Sequence, residues 1–320
     1  PGGTQLLSKR PEMFQPDNWP AYYDRAVGCT VTDLDGRALT DFTSCGIGCC
    51  VLGYADPVVN AAVADRIARG SMCTLNSPDE DLLCAIHPWA DQVRYARAGG
   101  EVLTIAVRLA RAATGRDVVA FCGYHGWNDW YLAANLGETE ALNGHLLPGL
   151  DPAGVPAGLR GTALPFRYNR IDELEAIVAA QKGRLAAIVM EPMRYDAPRD
   201  GFLEKVRALA DESGAVLIFD EVTSGWRSHH GGIHLKLGVA PDLAVFAKSI
   251  SNGFPMAAVI GRGRVMEAAQ RTFVSSTYWT EGVGPAAALA TLTRLQEVGA
   301  VAHIDRIGDC LLYTSPSPRD

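Results

Sequence analysis

Residues 215–220 read Ala-Val-Leu-Ile-Phe-Asp, and residues 243–248 read Leu-Ala-Val-Phe-Ala-Lys. Short apolar runs of this kind are typical of strands that are buried on both faces of a parallel sheet. Each run ends in a charged residue, Asp220 or Lys248. Because ligands of open α/β sheets bind at the carboxyl ends of the strands, we expect these two side chains to face a common site.

The chemistry of this pair points to one cofactor. A single lysine at a strand end usually only carries its charge into solvent, and a single aspartate there could equally cap a helix or bind a metal. Together they match the needs of pyridoxal phosphate (PLP). The lysine amine forms a Schiff base with the aldehyde, and the carboxylate keeps the pyridine nitrogen protonated.

Two further segments fit the same cofactor. Ala98-Gly99-Gly100-Glu101 precedes an amphipathic helix over residues 102–113, which Gly115 ends. Glycines at a helix start expose backbone N–H groups to an anion, although a Gly-Gly pair alone more often marks a turn. The strand at 118–121 leads into Tyr124-His125-Gly126-Trp127, an aromatic loop that could either stack on a flat ring or simply pack.

In this order the segments resemble class III PLP-dependent aminotransferases of fold type I, and within them the glutamate-1-semialdehyde 2,1-aminomutase branch. The resemblance covers about residues 1 to 300. Besides the segments above, it rests on residues 1–3 (Pro-Gly-Gly), 33–36 (Asp-Leu-Asp-Gly), 52–57 (Leu-Gly-Tyr-Ala-Asp-Pro), 108–111 (Arg-Leu-Ala-Arg), 191–192 (Glu-Pro) and 219–227 (Phe-Asp-Glu-Val-Thr-Ser-Gly-Trp-Arg).

The resemblance implies a role for each matching residue. Lys248 and Asp220 would be catalytic, through the Schiff base and the pyridine nitrogen. The cofactor-binding residues would be Gly99 and Gly100 at the phosphate, Val222 and Tyr124 on the two ring faces, and His125, Glu191 and Thr280. Thr280 would reach the phosphate from a neighbouring subunit, with Thr277 as the alternative, which implies a homodimer with shared sites.

Departures from the family pattern bear on the substrate. The family's Ser-Gly-Thr cradle is Ala98-Gly99-Gly100 here, and a serine and an arginine that hold the aminomutase substrate are Leu6 and Lys9. The family's active-site tryptophan is Ile47. We therefore treat Lys9 and Ile47 as candidate substrate residues and predict an aminotransferase that moves an amino group between a donor and an aldehyde or ketone acceptor. Alternatives are glutamate-1-semialdehyde 2,1-aminomutase, a non-catalytic binding protein and a nucleotide-binding dehydrogenase.

The predicted fold is α/β, with a mostly parallel, doubly wound sheet in a large domain. We expect a small-domain segment at 1–54 with a hairpin at Asp35-Gly36, the PLP-binding domain at 55–297 and the start of a C-terminal small domain at 298–309. Residues 310–320 break from the preceding pattern and are expected to be a non-native tail, with the rest of the C-terminal lobe missing. The chain starts at Pro1, so an upstream segment stays open.

Composition excludes several classes of partner. The 320 residues are 48% hydrophobic and 20% charged, with a net charge of −7, which argues against binding nucleic acid or an anionic membrane. No apolar stretch is long enough for a membrane span. The cysteines lack paired spacing, which favours a reducing, cytoplasmic location. His229-His230-Gly-Gly-Ile-His234 lacks further ligands at metal spacing, so we predict no metal site.

Overall fold

A seven-stranded sheet forms the centre of the computed structural model, which describes residues 15, 18–76, 82–138, 140–145 and 149–314. The strands of the described part are β1 (Tyr23–Val27), β2 (Thr30–Asp33), β3 (Ala38–Thr40), β4 (Gln92–Ala96), β5 (Val118–Cys122), β6 (Ala163–Pro165), β7 (Leu185–Met190), β8 (Val216–Asp220), β9 (Leu243–Phe246) and β10 (Ala257–Gly261).

Helices connect most of these strands. They are α1 (Cys45–Gly48), α2 (Pro57–Ala68), α3 (Leu82–Ile86), α4 (Gly99–Thr114), α5 (Asp129–Leu132), α6 (Ile171–Ala180), α7 (Phe202–Ser213), α8 (Ile233–Leu237), α9 (Gly263–Met266), α10 (Val283–Glu297) and α11 (Ala300–Thr314). Short 3-10 turns occupy Ala133–Leu136, Ala157–Leu159, Lys248–Ser251 and Glu267–Arg271.

The central sheet has the order β4-β10-β9-β8-β7-β5-β6. Strands β6, β5, β7, β8 and β9 run parallel, whereas β10 is antiparallel to both β9 and β4. The strands β5, β7, β8, β9 and β10 are buried along their whole length, as their apolar sequences predict. The predicted mostly parallel α/β sheet is therefore confirmed.

Alternate residues of the strands face two different hydrophobic cores. Val119, Val189 and Ile218 pack in a core that contains the apolar face of α4. Ile188 and Leu217 point the other way, into a core shared with α7. Helices thus cover both faces of the sheet, which is the doubly wound arrangement. The adjacent parallel pair β8 and β9 brings Asp220 and the residue after β9 to the same edge.

The predicted hairpin turn and helix end are matched, and three strands are additional. The Asp35-Gly36 turn joins β2 to β3, and Asp33 Oδ1 accepts hydrogen bonds from the backbone of Asp35 and Arg37. Gly115 ends α4 in a left-handed conformation, at φ 68°. Strands β1, β4 and β6 were not predicted from the sequence. The domain boundaries and the proposed tail at 310–320 stay predictions. No described helix combines the length and apolarity needed to cross a membrane.

Candidate active site

A cavity of about 780 Å3 opens at the carboxyl edge of the parallel strands. It lies where β8 and β9 end and α4 begins. The cavity walls include most of the residues named from the sequence: Gly99, Gly100, Tyr124, His125, Asp220, Val222 and Lys248. Residues from four separate parts of the chain therefore meet in one place.

Lys248 follows β9 directly and adopts a left-handed backbone conformation, at φ 50°. Such a conformation is uncommon for a residue with a side chain and often occurs at functional sites. Its Nζ donates a hydrogen bond to Oγ1 of Thr223 at 3.2 Å. Burial, aided by the charge of Arg227, lowers the pKa of Lys248, while Asp220 opposes the shift. The lowered pKa raises the fraction of neutral, nucleophilic amine.

Asp220 ends β8 and is buried beneath the same cavity. Its Oδ1 accepts the backbone N–H of Val222 at 3.0 Å, and its Oδ2 lies 2.7 Å from Nδ1 of His125. His125 is completely buried, and its Nε2 lies 3.1 Å from the carbonyl oxygen of Cys122. The position of the Asp220 carboxylate is thus fixed by the Val222 N–H and by the His125 ring, whose other nitrogen contacts the Cys122 carbonyl oxygen.

The neighbouring Glu221 faces away and fixes the loop that follows β8. Its carboxylate accepts the backbone N–H groups of Ile233 and His234 and bonds Nδ1 of His234 at 2.8 Å. Nε2 of His234 accepts the indole N–H of Trp89 at 2.8 Å, so the ring proton must lie on Nδ1. This network anchors the segment that carries Asp220 and Val222, and sequence patterns did not identify it.

The glycine cradle is formed by the first turn of α4. Among the described residues, no acceptor is recorded for the backbone N–H groups of Gly99 and Gly100, which begin this 16-residue helix. Oε2 of Glu101 turns back to accept the N–H of Arg97 at 2.8 Å. A Cβ on Gly99 would lie 3.3 Å from Cγ1 of Val222, so this glycine allows close packing. The helix start is thus a ready anion site.

The two predicted ring contacts, Tyr124 and Val222, both line the cavity and are half-buried. The Tyr124 ring meets Tyr131 edge-on, at 5.9 Å between centroids, which restricts its orientation. Val222 packs against the cradle at Gly99. The space between an aromatic residue and a branched aliphatic residue suits a flat ring.

The structure does not bring the other predicted residues into this cavity. Glu191 lines a neighbouring cavity of about 190 Å3, where it forms an ion pair with Arg194 at 3.0 Å. Burial and the nearby Asp220 raise the pKa of Glu191, against the opposing effect of Arg194. Thr280 is half-buried beside the cavity residue Trp279, and Thr277 is exposed. Lys9 lies outside the described residues.

Ile47 sits in the single turn α1, with a left-handed backbone at φ 62° and 39% of its side chain exposed. It is not among the residues that line the large cavity. Arg227, which sequence analysis placed only within a motif, donates to the carbonyl oxygens of Gly48 and Thr223. Arg227 therefore ties α1 to the loop after β8. Cys49, next to α1, is itself a cavity residue.

These residues fit PLP. A half-buried amine with a lowered pKa, a buried carboxylate and an anion-binding helix start surround one cavity. The glycines of the cradle keep the helix start free of side chains. A Cβ on Gly100, for example, would lie only 2.7 Å from Nδ2 of Asn128. The cofactor's aldehyde, ring nitrogen and phosphate each have a matching group.

Comparisons with known proteins agree with this geometry. The family model for class-III aminotransferases matches residues 14–314. The 3-aminobutyryl-CoA aminotransferase of Cloacimonas acidaminovorans is 32% identical over 308 residues, which cover 92% of this chain and 70% of that protein. The glutamate-1-semialdehyde 2,1-aminomutase of Roseiflexus castenholzii is 37% identical over 301 residues, covering 90% of this chain and 68% of that protein.

A solved structure has the same fold. The FumI protein of Sphingopyxis sp. MTA144, determined with PLP, superposes with a TM-score of 0.77 at 28% identity. The match covers 88% of this chain and 67% of that chain.

Proposed function

The chain belongs to the class-III aminotransferases, PLP-dependent enzymes that act on small molecules, and we propose that it moves an amino group from a donor to a separate aldehyde or ketone acceptor. The observation that carries the assignment of the site is the meeting of Lys248, Asp220 and the α4 start around one cavity. A protein that only binds a ligand needs no half-buried amine of lowered pKa in the same cavity as a buried carboxylate.

Each residue has a role that follows from its position. Lys248 would hold the cofactor covalently through Nζ, and Asp220 would keep a proton on the pyridine nitrogen. Gly99 and Gly100 would bind the phosphate through backbone N–H groups. When bound, PLP supplies the carbon that takes up the amino group and a ring that accepts an electron pair. Nζ of Lys248 would then carry the proton that leaves the donor carbon.

The residues at the positions that hold the substrate in the aminomutase family pattern favour transfer between two molecules. An aminomutase must hold a small semialdehyde by its carboxylate while the amine migrates. Ile47 offers no hydrogen-bond donor, and neither does Leu6, while Lys9 offers a flexible point charge without the fork of an arginine. The second candidate is the aminomutase reaction, which is favoured by identities of 37% and 38% to glutamate-1-semialdehyde 2,1-aminomutases.

A homodimer in the cytoplasm completes the proposal. The segment around Tyr278 is exposed at the cavity margin, and Thr280 lies within it, so that a second copy could receive this threonine at its own phosphate site. Cysteines without paired spacing support a reducing compartment.

Half-reactions followed by the absorbance of the cofactor test the reaction. An aminotransferase should be converted to its pyridoxamine form by an amino donor alone and returned by a carbonyl acceptor added later. A panel of amino acids and amines, followed by a panel of aldehydes and ketones, would identify both partners. Rapid formation of 5-aminolevulinate from glutamate-1-semialdehyde, without any donor, would instead establish the aminomutase.

A further inference from the structure

Gly100, like Gly99, lines the cavity without needing the conformational freedom of glycine. It occupies the second position of α4, and its φ is not positive, so the backbone does not require glycine there. A side chain there would instead meet a neighbour: a Cβ on Gly100 would lie 2.7 Å from Nδ2 of Asn128, so the amide would have to move. The amide of Asn128 thus occupies the space of a side chain at position 100.

The amide of Asn128 is held in this space. Its Nδ2 lies 2.9 Å from the carbonyl oxygen of Gly100, which can only accept, so the nitrogen must be the atom that faces it. Asn128 precedes α5 at the position where asparagine commonly caps a helix, but its side chain makes no capping hydrogen bond there. The side chain crosses to α4 instead, and in doing so joins the aromatic loop to the cradle.

Part of the hydrogen-bonding capacity of Asn128 remains unused. A side-chain amide has two N–H donors, and the described residues supply a recorded partner for only one of them. Asn128, Gly99 and Gly100 all line the large cavity, and the two glycine N–H groups also have no recorded acceptor in the described chain. Three unused donors therefore surround the start of one helix, where an anion is electrostatically favoured.

We propose that Asn128 is a ligand of the cofactor phosphate and replaces the side-chain hydroxyl that Gly100 lacks. The inference rests on the proposed function, because it assumes that PLP occupies this cavity. It makes Gly100 and Asn128 a matched pair: the glycine leaves room for the amide, and the amide supplies the donor. Ala98, also without a hydroxyl, increases the dependence on Asn128.

Cofactor affinity tests the proposal without reference to turnover. The dissociation constants of PLP and of pyridoxal, which has no phosphate, would be measured on the apoenzyme by absorbance and fluorescence. Asn128→Ala should weaken PLP binding about tenfold or more, because a hydrogen bond to a charged group is lost, and should leave pyridoxal binding within about twofold. Asn128→Asp, which has the same shape, should weaken PLP binding further by charge repulsion. Asn60→Ala, on the exposed side of α2, is the control.

A compensating pair of substitutions provides a second test of the proposal. Gly100→Thr alone should weaken PLP binding, because its Cβ displaces the amide of Asn128. Gly100→Thr combined with Asn128→Ala should bind PLP within about threefold of the wild type, since a hydroxyl then replaces the amide. The proposal is overturned if Asn128→Ala and Asn128→Asp bind PLP like the wild type, or if the substitutions weaken the binding of PLP and of pyridoxal equally. It is also overturned if the double variant binds PLP no more tightly than Asn128→Ala. If the wild type itself binds no PLP, the proposed function fails as well.

Discussion

His125 bridges the carboxylate of Asp220 and the backbone of β5. Its Nδ1 lies 2.7 Å from Oδ2 of Asp220, and its Nε2 lies 3.1 Å from the carbonyl oxygen of Cys122. Both ring nitrogens therefore lie within hydrogen-bonding distance of an oxygen atom. The ring is completely buried, so these two contacts fix its orientation and, through it, that of the Asp220 carboxyl group.

Replacement of His125 by leucine should impair both stability and catalysis. In the described chain it leaves the buried Asp220 with only the Val222 N–H as a recorded hydrogen-bond partner, and loss of a hydrogen-bond partner by a buried polar group costs about 2 kcal/mol. We expect a lower urea midpoint in the apoenzyme and a fall in kcat of about tenfold. His303→Leu, on the exposed part of α11, serves as the control. Unchanged stability and kcat would show that the ring does not support Asp220.

Asp220→Ala should still bind PLP but turn over slowly. Without the carboxylate the pyridine nitrogen loses its proton, so the ring accepts the electron pair poorly. We expect kcat to fall on the order of 10² or more, the scale of one lost electrostatic partner. Steady-state kinetics at saturating PLP measures this directly. A decrease of less than about threefold would mean that another residue holds the ring nitrogen.

Thr280→Val should weaken retention of the cofactor, because this cradle has no hydroxyl of its own at Ala98 or Gly100. If the site is shared between two subunits, mixing Thr280→Val with Lys248→Ala subunits should yield heterodimers with one site damaged twice and one intact. Activity regained on mixing is the expected result. Thr277→Val is the matched comparison, and a larger loss there would assign the phosphate contact to Thr277.

His87 should make the fold sensitive to acid. Its Nε2 accepts the N–H of Gly232, its Nδ1 faces the carbonyl of Leu83, and burial lowers its pKa from 6.5 to about 4. Below pH 6.5 the His87 ring of the unfolded chain therefore binds a proton, whereas the ring of the native protein stays neutral down to about pH 4. The free energy of unfolding falls as the pH decreases through this range. His87 alone should lower the free energy of unfolding by about 2 kcal/mol between pH 7 and pH 5.

Urea unfolding of the wild type and of His87→Gln at both pH values checks this contribution. Glutamine can offer one donor and one acceptor without titrating, so its unfolding free energy should change less with pH. His145, whose pKa burial also lowers to about 4, contributes to the wild type and the variant alike. Equal decreases in unfolding free energy between pH 7 and pH 5 in the two proteins would show that His87 does not control the loss of stability in acid.

Sequence patterns were sufficient for the inner strands of the sheet. The runs at β5, β8 and β9 are continuously apolar because both faces are covered, and this also placed Lys248 and Asp220 at one edge. The edge strands were missed for physical reasons. Gln92–Ala96 is half-buried over its first three residues and contains polar side chains, and Ala163–Pro165 is only three residues long.

Contacts between distant segments could not be predicted from local patterns. His125 reaches Asp220 across 95 positions, and Trp89 reaches His234 across 145. Both depend on the strand order, which brings loops from separate connections together. The relationship between Gly100 and Asn128 is of the same kind, because only the packed structure shows that one residue occupies the space left by the other.

The central claim is that Lys248 holds the cofactor. Reduction of the PLP-loaded enzyme with borohydride, followed by proteolysis and mass spectrometry, should place a phosphopyridoxyl group on the peptide that contains Lys248. Lys248→Ala should carry no such label and show no turnover, whereas Lys205→Ala, on the exposed face of α7, should be labelled like the wild type. A label on any other lysine, or near wild-type amino transfer by Lys248→Ala, would contradict the account.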